Sequence, residues 1–290
     1  MRVLMVGPDH GNELKYIPSE INLINVNAPW AVKELPDEDF DAVLITCFGS
    51  ASSRVINLGI TKYKCPVGVW FLDSHVLFEE EMKLARLLPY IFIAHSHYIN
   101  DFKRELPGKD IYHMPCCTNH IISIDEWGPP NKIREYDVFQ ASIPYHVFGD
   151  SRIKILAKMK SLLPNCIVKL SENLPHDQYV PELRKTRVGL NVSLGGDFNC
   201  RNIEIIASGI PVMADRTVDH SSPMLEGIDK FISYFERSDL SKMQKVYDEA
   251  LTKAEISAEY GQKWALNHSY SARTLFMLNT MMKTKFEMEK

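Results

Sequence analysis

The sequence predicts an α/β protein built from two Rossmann-like domains facing across a cleft, with a helical C-terminal tail. Three observations predict it. Short apolar runs alternate with helix-patterned segments through the first half, and the same alternation restarts after a Gly/Pro-rich interruption. Several of the runs are continuously apolar rather than alternating, which is how strands of a parallel sheet covered on both faces read. From residue 238 onward the pattern is helical.

The first domain, residues 1–122, opens on a strand at 2–6 (RVLMV). Strands at 21–26, 41–47, 66–72, 90–95 and 110–115 follow, with helices over 78–88 and 97–106. Alternation of this kind specifies an open parallel sheet. Residues 116–136 break it with Gly128, Pro129 and Pro130, and 123–135 reads as a linker. The second domain, 136–268, has strands at 136–142, 166–171, 187–193 and 210–215 and a last one at 230–234. Its helices cover 150–163, 179–186 and a stretch from about 199. The helical tail is divided at Gly261 and at residues 267–271 (NHSYS).

A chain of 290 residues, 45% hydrophobic and 24% charged, can bury real cores in two domains. No apolar run approaches the roughly 18 residues that cross a bilayer. The first five-residue run stops at Gly7-Pro8 and is too short for a signal peptide. Six cysteines lie mostly in apolar strand contexts, without C-x-x-C spacing, as buried free thiols of a reducing compartment do. The expected location is therefore the cytoplasm. Residues 1–135 carry 13 basic and 18 acidic side chains, and the remainder 20 and 19. That balance is no nucleic-acid footprint, but it suits a local anion site in the second half.

In open parallel sheets ligands sit beyond the carboxyl ends of the strands, where helix N-termini point. Polar residues just after strands are therefore the candidates. In VGPDHGN, Gly7 and Gly11 permit a tight turn, with Asp9 and His10 in the loop. A binding loop and an ordinary polar loop read alike here, and the chain has no G-x-G-x-x-G fingerprint. In VWFLDSHV, Asp73 and His75 follow directly on a strand. They read either as acid, base or hydroxyl-gripping groups, or as a helix cap beside a solvated histidine. His95, His97, His113 and His120 fit no standard zinc spacing, so no metal is expected. Arg152 opens a helix just after Gly149, either as part of a phosphate cradle or as a surface arginine. Asn199, Arg201 and Glu204 stand at a helix N-terminus after Gly195-Gly196. A glutamate within IEIIA needs donors if it is buried, and the paired hydroxyls of a ribose supply them, while an arginine suits a phosphate. The alternative is a first-turn glutamate favoured by the helix dipole.

Taken in order, these segments resemble GT-B glycosyltransferases. The chain is similar in particular to the CgeB-like group, a spore-maturation protein family, and more distantly to the retaining family with an E-x7-E motif. The resemblance runs through CPVGVWFLDSHV, the segment 89–120, DSRIKILAKMKSLL, NCRNIEIIASGIPVMAD and NHSYSARTLFML. The fourth is the most specific; it resembles N-x-R-x-F-E-x-x-A-x-G-x-P-x-x-T-D. The resemblance implies a transferase that takes a nucleotide-diphosphate sugar as co-substrate, with no other cofactor. It implies a donor held by the second domain, an acceptor held by the first, and a C-terminal helix, 269–290, packing back on the first domain. Glu204 then matches the ribose-holding glutamate, Arg201 an arginine near the pyrophosphate or sugar, and Gly209 and Pro211 structural positions. Asp73 and His75 fall where related enzymes touch sugar or acceptor. Gly196 stands where the E-x7-E motif has its first glutamate, with Asp197 one place away; the family phenylalanine is Ile203; an Arg/Lys pair of the usual spacing is missing.

The expected function is metal-independent transfer of a sugar to an acceptor hydroxyl of unidentified kind: saccharide, small molecule, protein or modified DNA. The rivals are a silent GT-B protein that binds a nucleotide sugar or a partner, a periplasmic-type binding protein, and a transferase acting on modified DNA bases. The acidic first half gives the last no phosphate footprint.

Overall fold

The apolar runs form two parallel sheets, and each belongs to its own compact unit. Residues 1–116 and 269–290 make the first unit and residues 117–268 the second. The computed structural model describes the chain apart from residues 8–15, 28–32, 48–50, 118–132, 142–150, 173, 195, 284–285 and 289–290. The loop carrying Asp9 and His10, most of the expected linker, His120 and Gly149 therefore lie outside the described residues.

In the first unit the strands are β1 (Arg2–Gly7), β2 (Asn22–Asn27), β3 (Ala42–Cys47), β4 (Val67–Phe71), β5 (Tyr90–Ile93) and β6 (Asp110–His113). Their order is β2-β1-β3-β4-β5-β6, all parallel. Every residue of β3 and β4 is buried, so their unbroken apolar runs follow from cover on both faces. Helices α1 (Ala51–Asn57), α2 (Ser74–Ala85) and α3 (Ile99–Glu105) belong to this unit, as does α9 (Tyr270–Met282). The last helix sets Tyr270 edge-on against Trp70 and Phe276 against Phe92. Its Arg273, 3% exposed, donates to the Pro115 carbonyl at 3.0 Å.

In the second unit the strands are β7 (Tyr136–Ala141), β8 (Val168–Ser171), β9 (Thr186–Asn191), β10 (Val212–Asp215) and β11 (Ile232–Phe235). Their order is β11-β10-β9-β7-β8, again all parallel. Helices α4 (Ser151–Leu162), α5 (His176–Leu183), α6 (Cys200–Ala207), α7 (Met243–Thr252) and α8 (Ala254–Leu266) complete it. Successive residues of a strand face opposite ways. Val188, Leu190 and Val192 accordingly join the core containing α4 and α7, while Phe139, Val212 and Ala214 join the core containing α5 and α6.

The structure departs from the sequence expectation at two kinds of place. Helix α2 begins at Ser74, four residues before the expected start, and α1 was not anticipated. Gly261 does not divide the helical tail: it lies buried inside α8, and the breaks fall at Lys253 and at Asn267–Ser269. A Cβ on Gly261 would stand 2.5 Å from the Ile206 carbonyl oxygen, and one on Gly189 would stand 2.4 Å from Ile205 Cγ2. Glycine at both positions lets α6 sink between β9 and α8.

Replacing Gly261 by Ala is expected to destabilise the second unit. Overpacking costs about 1–3 kcal/mol, against roughly 1 kcal/mol gained in helix propensity. Urea titration of Gly261→Ala should give a lower midpoint, and an unchanged or higher midpoint contradicts this packing.

Candidate functional site

Each sheet has a place where strand order reverses, and ligands of open α/β sheets bind outside the carboxyl ends there. In the second unit it lies between β7 and β9, and in the first between β1 and β3. Arg152 follows β7 as the second residue of α4, and residues 192–204 follow β9. Both segments therefore belong to the second unit's reversal.

After β9 the chain turns through Gly196, whose φ of +83° is the left-handed region that glycine tolerates. Asn199 then caps α6: its Oδ1 accepts from the Arg201 N–H at 3.1 Å and from Asn191 Nδ2 at 3.1 Å. The cap satisfies one of the helix's orphan donors and fixes where the helix starts. Arg201 thereby falls one turn before Glu204. Its guanidinium donates to Glu204 Oε2 at 2.7 Å and lies 4.1 Å from the centre of the Tyr179 ring. Glu204 has no solvent exposure and sits in the second turn of the helix, not the first. Burial works against the Arg201 cation, but the Glu204 carboxylate and Tyr179 outweigh it and shift the guanidinium upward. Removing Arg201 would leave the fully buried Glu204 carboxylate without its counter-charge, which is destabilising.

Arg152 is half-buried rather than a surface arginine. Burial lowers its basicity; Asp197 and Asp215 act to raise it, Arg201 and Arg237 to lower it further. Its Nε has no hydrogen-bond partner among the described residues. Asp197, 7% exposed, has its carboxyl pushed up to about 7, chiefly by burial, with Asp215 also raising it and Arg152 opposing. One of its oxygens, Oδ1, has no hydrogen-bond partner among the described residues.

Next to this group the structure places a knot the sequence reading did not nominate. Asp215 ends β10, Ser193 follows β9 and Arg237 follows β11. Asp215 accepts from the Ser193 N–H at 2.7 Å, from the Ser193 hydroxyl at 2.6 Å and from Arg237 Nε at 2.6 Å. Arg237 also donates to the Ser193 hydroxyl, at 2.7 Å, and to the Ser193 carbonyl. Three neighbouring strand ends are tied together in this way. Arg201 and Arg237 both lie within electrostatic reach of Arg152.

In the first unit Gly7 ends β1, and a Cβ there would lie 3.1 Å from the Thr46 carbonyl oxygen of β3, so close strand approach explains the glycine. Asp73 and His75 follow β4, one strand beyond the reversal. Asp73 occupies the N-cap position of α2, yet its side chain makes no capping hydrogen bond. His75 Nδ1 lies 3.0 Å from Nε2 of the fully buried His95, and that same Nε2 lies 2.9 Å from the Leu72 carbonyl oxygen. Burial pushes His75 below its ordinary value, with Asp73 opposing and His97 adding to the shift. Two turns along α2, Glu81 is buried and accepts from the Ser74 hydroxyl at 2.6 Å. Burial pushes its carboxyl up to about 8; the Ser74 bond opposes this and the Asp73 charge adds to it. Glu81 is the last of three consecutive glutamates, Glu79, Glu80 and Glu81, and nothing in the run marks it as the buried one. Among the described residues no group of three or more His, Cys, Asp or Glu side chains could hold a metal ion. No helix of the described residues is long and apolar enough to cross a membrane.

Residues 137–279, just under half of the chain, match the model of a family described as glycosyl transferase-like. No curated protein sequence matches the chain. Among solved structures, a mutant of TarM from S. aureus, crystallised with fondaparinux, alpha-GlcNAc-glycerol and UDP, is similar with a TM-score of 0.52 at 15% identity, over 82% of this chain and 55% of that one. An α,α-trehalose-phosphate synthase (UDP-forming) from Burkholderia xenovorans, in complex with glucose-6-phosphate, gives 0.57 at 11% identity, over 82% and 73%. A Listeria monocytogenes protein provisionally assigned as a UDP-N-acetylglucosamine 2-epimerase gives 0.55 at 12%, over 98% and 97%. The chain thus spans little more than half the length of TarM. Likeness at these identities is one of fold, and the fold of the two parallel α/β units is GT-B.

Glu81 gives the first unit a pH signature. Its folded-state carboxyl titrates near 8, against an ordinary 4.5, so the folded state holds the proton more tightly. Its contribution is complete below about 4.5 and is lost as pH rises through about 8. Glu81→Gln keeps the shape and an oxygen for Ser74, and should flatten the fall in stability over that window. Chemical denaturation at a series of pH values reads this, and an unchanged slope contradicts a protonated Glu81.

Proposed function

We propose that this protein is a glycosyltransferase of the CgeB-like group that moves a sugar from a nucleotide-diphosphate sugar to an acceptor hydroxyl. The observation that carries the reading is the Arg201–Glu204 pair at the start of α6, its carboxylate fully buried and its guanidinium partly exposed, with Arg152 in electrostatic reach. It lies at the strand-order reversal, within the segment that matches the glycosyl transferase-like model. A carboxylate held dry and oriented accepts both hydroxyls of a ribose without further reorganisation. Arg152, Arg201 and the positive end of α6 meet the charge that develops on the leaving diphosphate, so that the protein supplies the positive charge and no metal is required. Gly196 admits the close approach of the donor, and Asp197 and Asn199 flank it. The acceptor hydroxyl is positioned or deprotonated by Asp73 or His75 of the first unit.

The Listeria neighbour, alike over nearly the whole of both chains, favours a second reading in which the bound nucleotide sugar is epimerised. Incubation with nucleotide sugars and no acceptor separates the two: a transferase slowly releases nucleoside diphosphate, and an epimerase returns an isomerised nucleotide sugar. A protein that binds and does neither is silent.

Glu204→Gln tests the donor assignment. Hydrogen bonds to a charged group contribute about 1.5–3 kcal/mol, so the variant should bind nucleoside diphosphate about 10- to 150-fold more weakly. Isothermal titration over UDP, GDP, ADP and TDP identifies the base and measures the loss. A folded variant with the parent's affinity overturns the role of Glu204.

A further inference from the structure

The Leu72–His95–His75 chain of contacts fixes where a proton lies. A carbonyl oxygen only accepts, so the 2.9 Å contact between His95 Nε2 and the Leu72 oxygen needs a proton on that nitrogen. The same Nε2 lies 3.0 Å from His75 Nδ1, so its N–H is shared between the carbonyl oxygen and the His75 ring. His75 Nδ1 must then present a lone pair, because a proton on it would oppose the one on His95. The rings meet edge to face, 4.7 Å between centres, and His95 is fully buried, so bulk solvent does not reach its ring.

We infer that His95 is a positioning residue that holds His75 in the neutral tautomer with its proton on Nε2, so that His75 serves as a hydrogen-bond donor rather than a base at that nitrogen. The functional consequence rests on the reading of His75 as an acceptor-side group: His75 would hold an oxygen lone pair, leaving Asp73 as the only one of the two to take a proton. The tautomer itself does not rest on that reading. Among the described residues, groups that act on His75 include Asp73 at the start of α2, His97 in the turn after β5, and His95. Asp73 favours the imidazolium, His97 opposes it, and the shared His95 proton opposes it further.

The test is a two-bond proton–nitrogen correlation spectrum of the full chain, labelled with 15N-histidine, recorded from pH 5 to 9. In the parent at neutral pH, His75 should show a protonated Nε2 and a bare Nδ1. A protonated Nδ1 on His75 overturns the inference. In His95→Phe the His75 tautomers should mix, and its titration should move up by about one pH unit, the size of a single net hydrogen bond. His95→Gln, whose amide N–H can stand in for the ring N–H, should restore the parent tautomer. Unchanged His75 signals in a folded His95→Phe protein also overturn the inference. If that variant does not fold, the parent spectrum and the Gln variant decide. The spectrum needs no substrate, so a protein that binds no nucleotide sugar would refute the proposed function and leave this result standing.

Discussion

Glu204 lies between Ile203 and Ile205 in a helix whose residues from Asn202 to Ala207 are all buried. An ionised carboxylate taken out of water costs several kcal/mol unless a charge and hydrogen bonds replace its solvent. Arg201 is the replacement, and much of the second unit's local structure is what that pairing requires. The helix must begin by Cys200, which the Asn199 cap enforces, so that Arg201 is already helical and lies on the same face as Glu204 three residues on. Tyr179 on α5 must lie under the guanidinium. Gly189 and Gly261 must be without side chains, so that the helix can sit deeply enough to bury the Glu204 carboxylate.

The neighbouring carboxyls show how environment divides one chemistry into several. Asp215 is met by three donors from Ser193 and Arg237 and ties three strand ends together. Asp197 is buried with weaker compensation, and its carboxyl titrates near 7. In the first unit Glu81 is further along the same scale, holding its proton until about 8. An acid–base reading of any of these groups has to begin from its local donors, because residue type alone does not distinguish them.

The strands were legible because parallel sheets demand continuous apolar runs, and all eleven strands among the described residues fall on runs expected to be strands. Helix α1 was missed because ASSRVIN is seven residues long with little apolar periodicity. Gly261 was misread because sequence shows the missing side chain but not the backbone pressed against it. Asn199, Arg201 and Glu204 were legible as a set because they share one helix start. Ser193, Asp215 and Arg237 were not, because they stand 22 and 44 residues apart and meet only through strand order. A signal existed all the same: Asp215 directly ends an apolar strand, and Arg237 comes two residues after another, where the rule for open parallel sheets looks for polar groups. Glu81 left no such signal, since burial of one face of α2 is decided by the sheet beneath it.

The central claim is that the Arg201–Glu204 pair is the donor-holding element of the second unit. A crystal structure with a bound nucleoside diphosphate tests it most directly. The account predicts both ribose hydroxyls within hydrogen-bond distance of the Glu204 carboxylate and the phosphates against Arg152 and Arg201. A nucleotide bound with its ribose away from Glu204, and the Arg201–Glu204 pair undisturbed beneath it, would contradict the account.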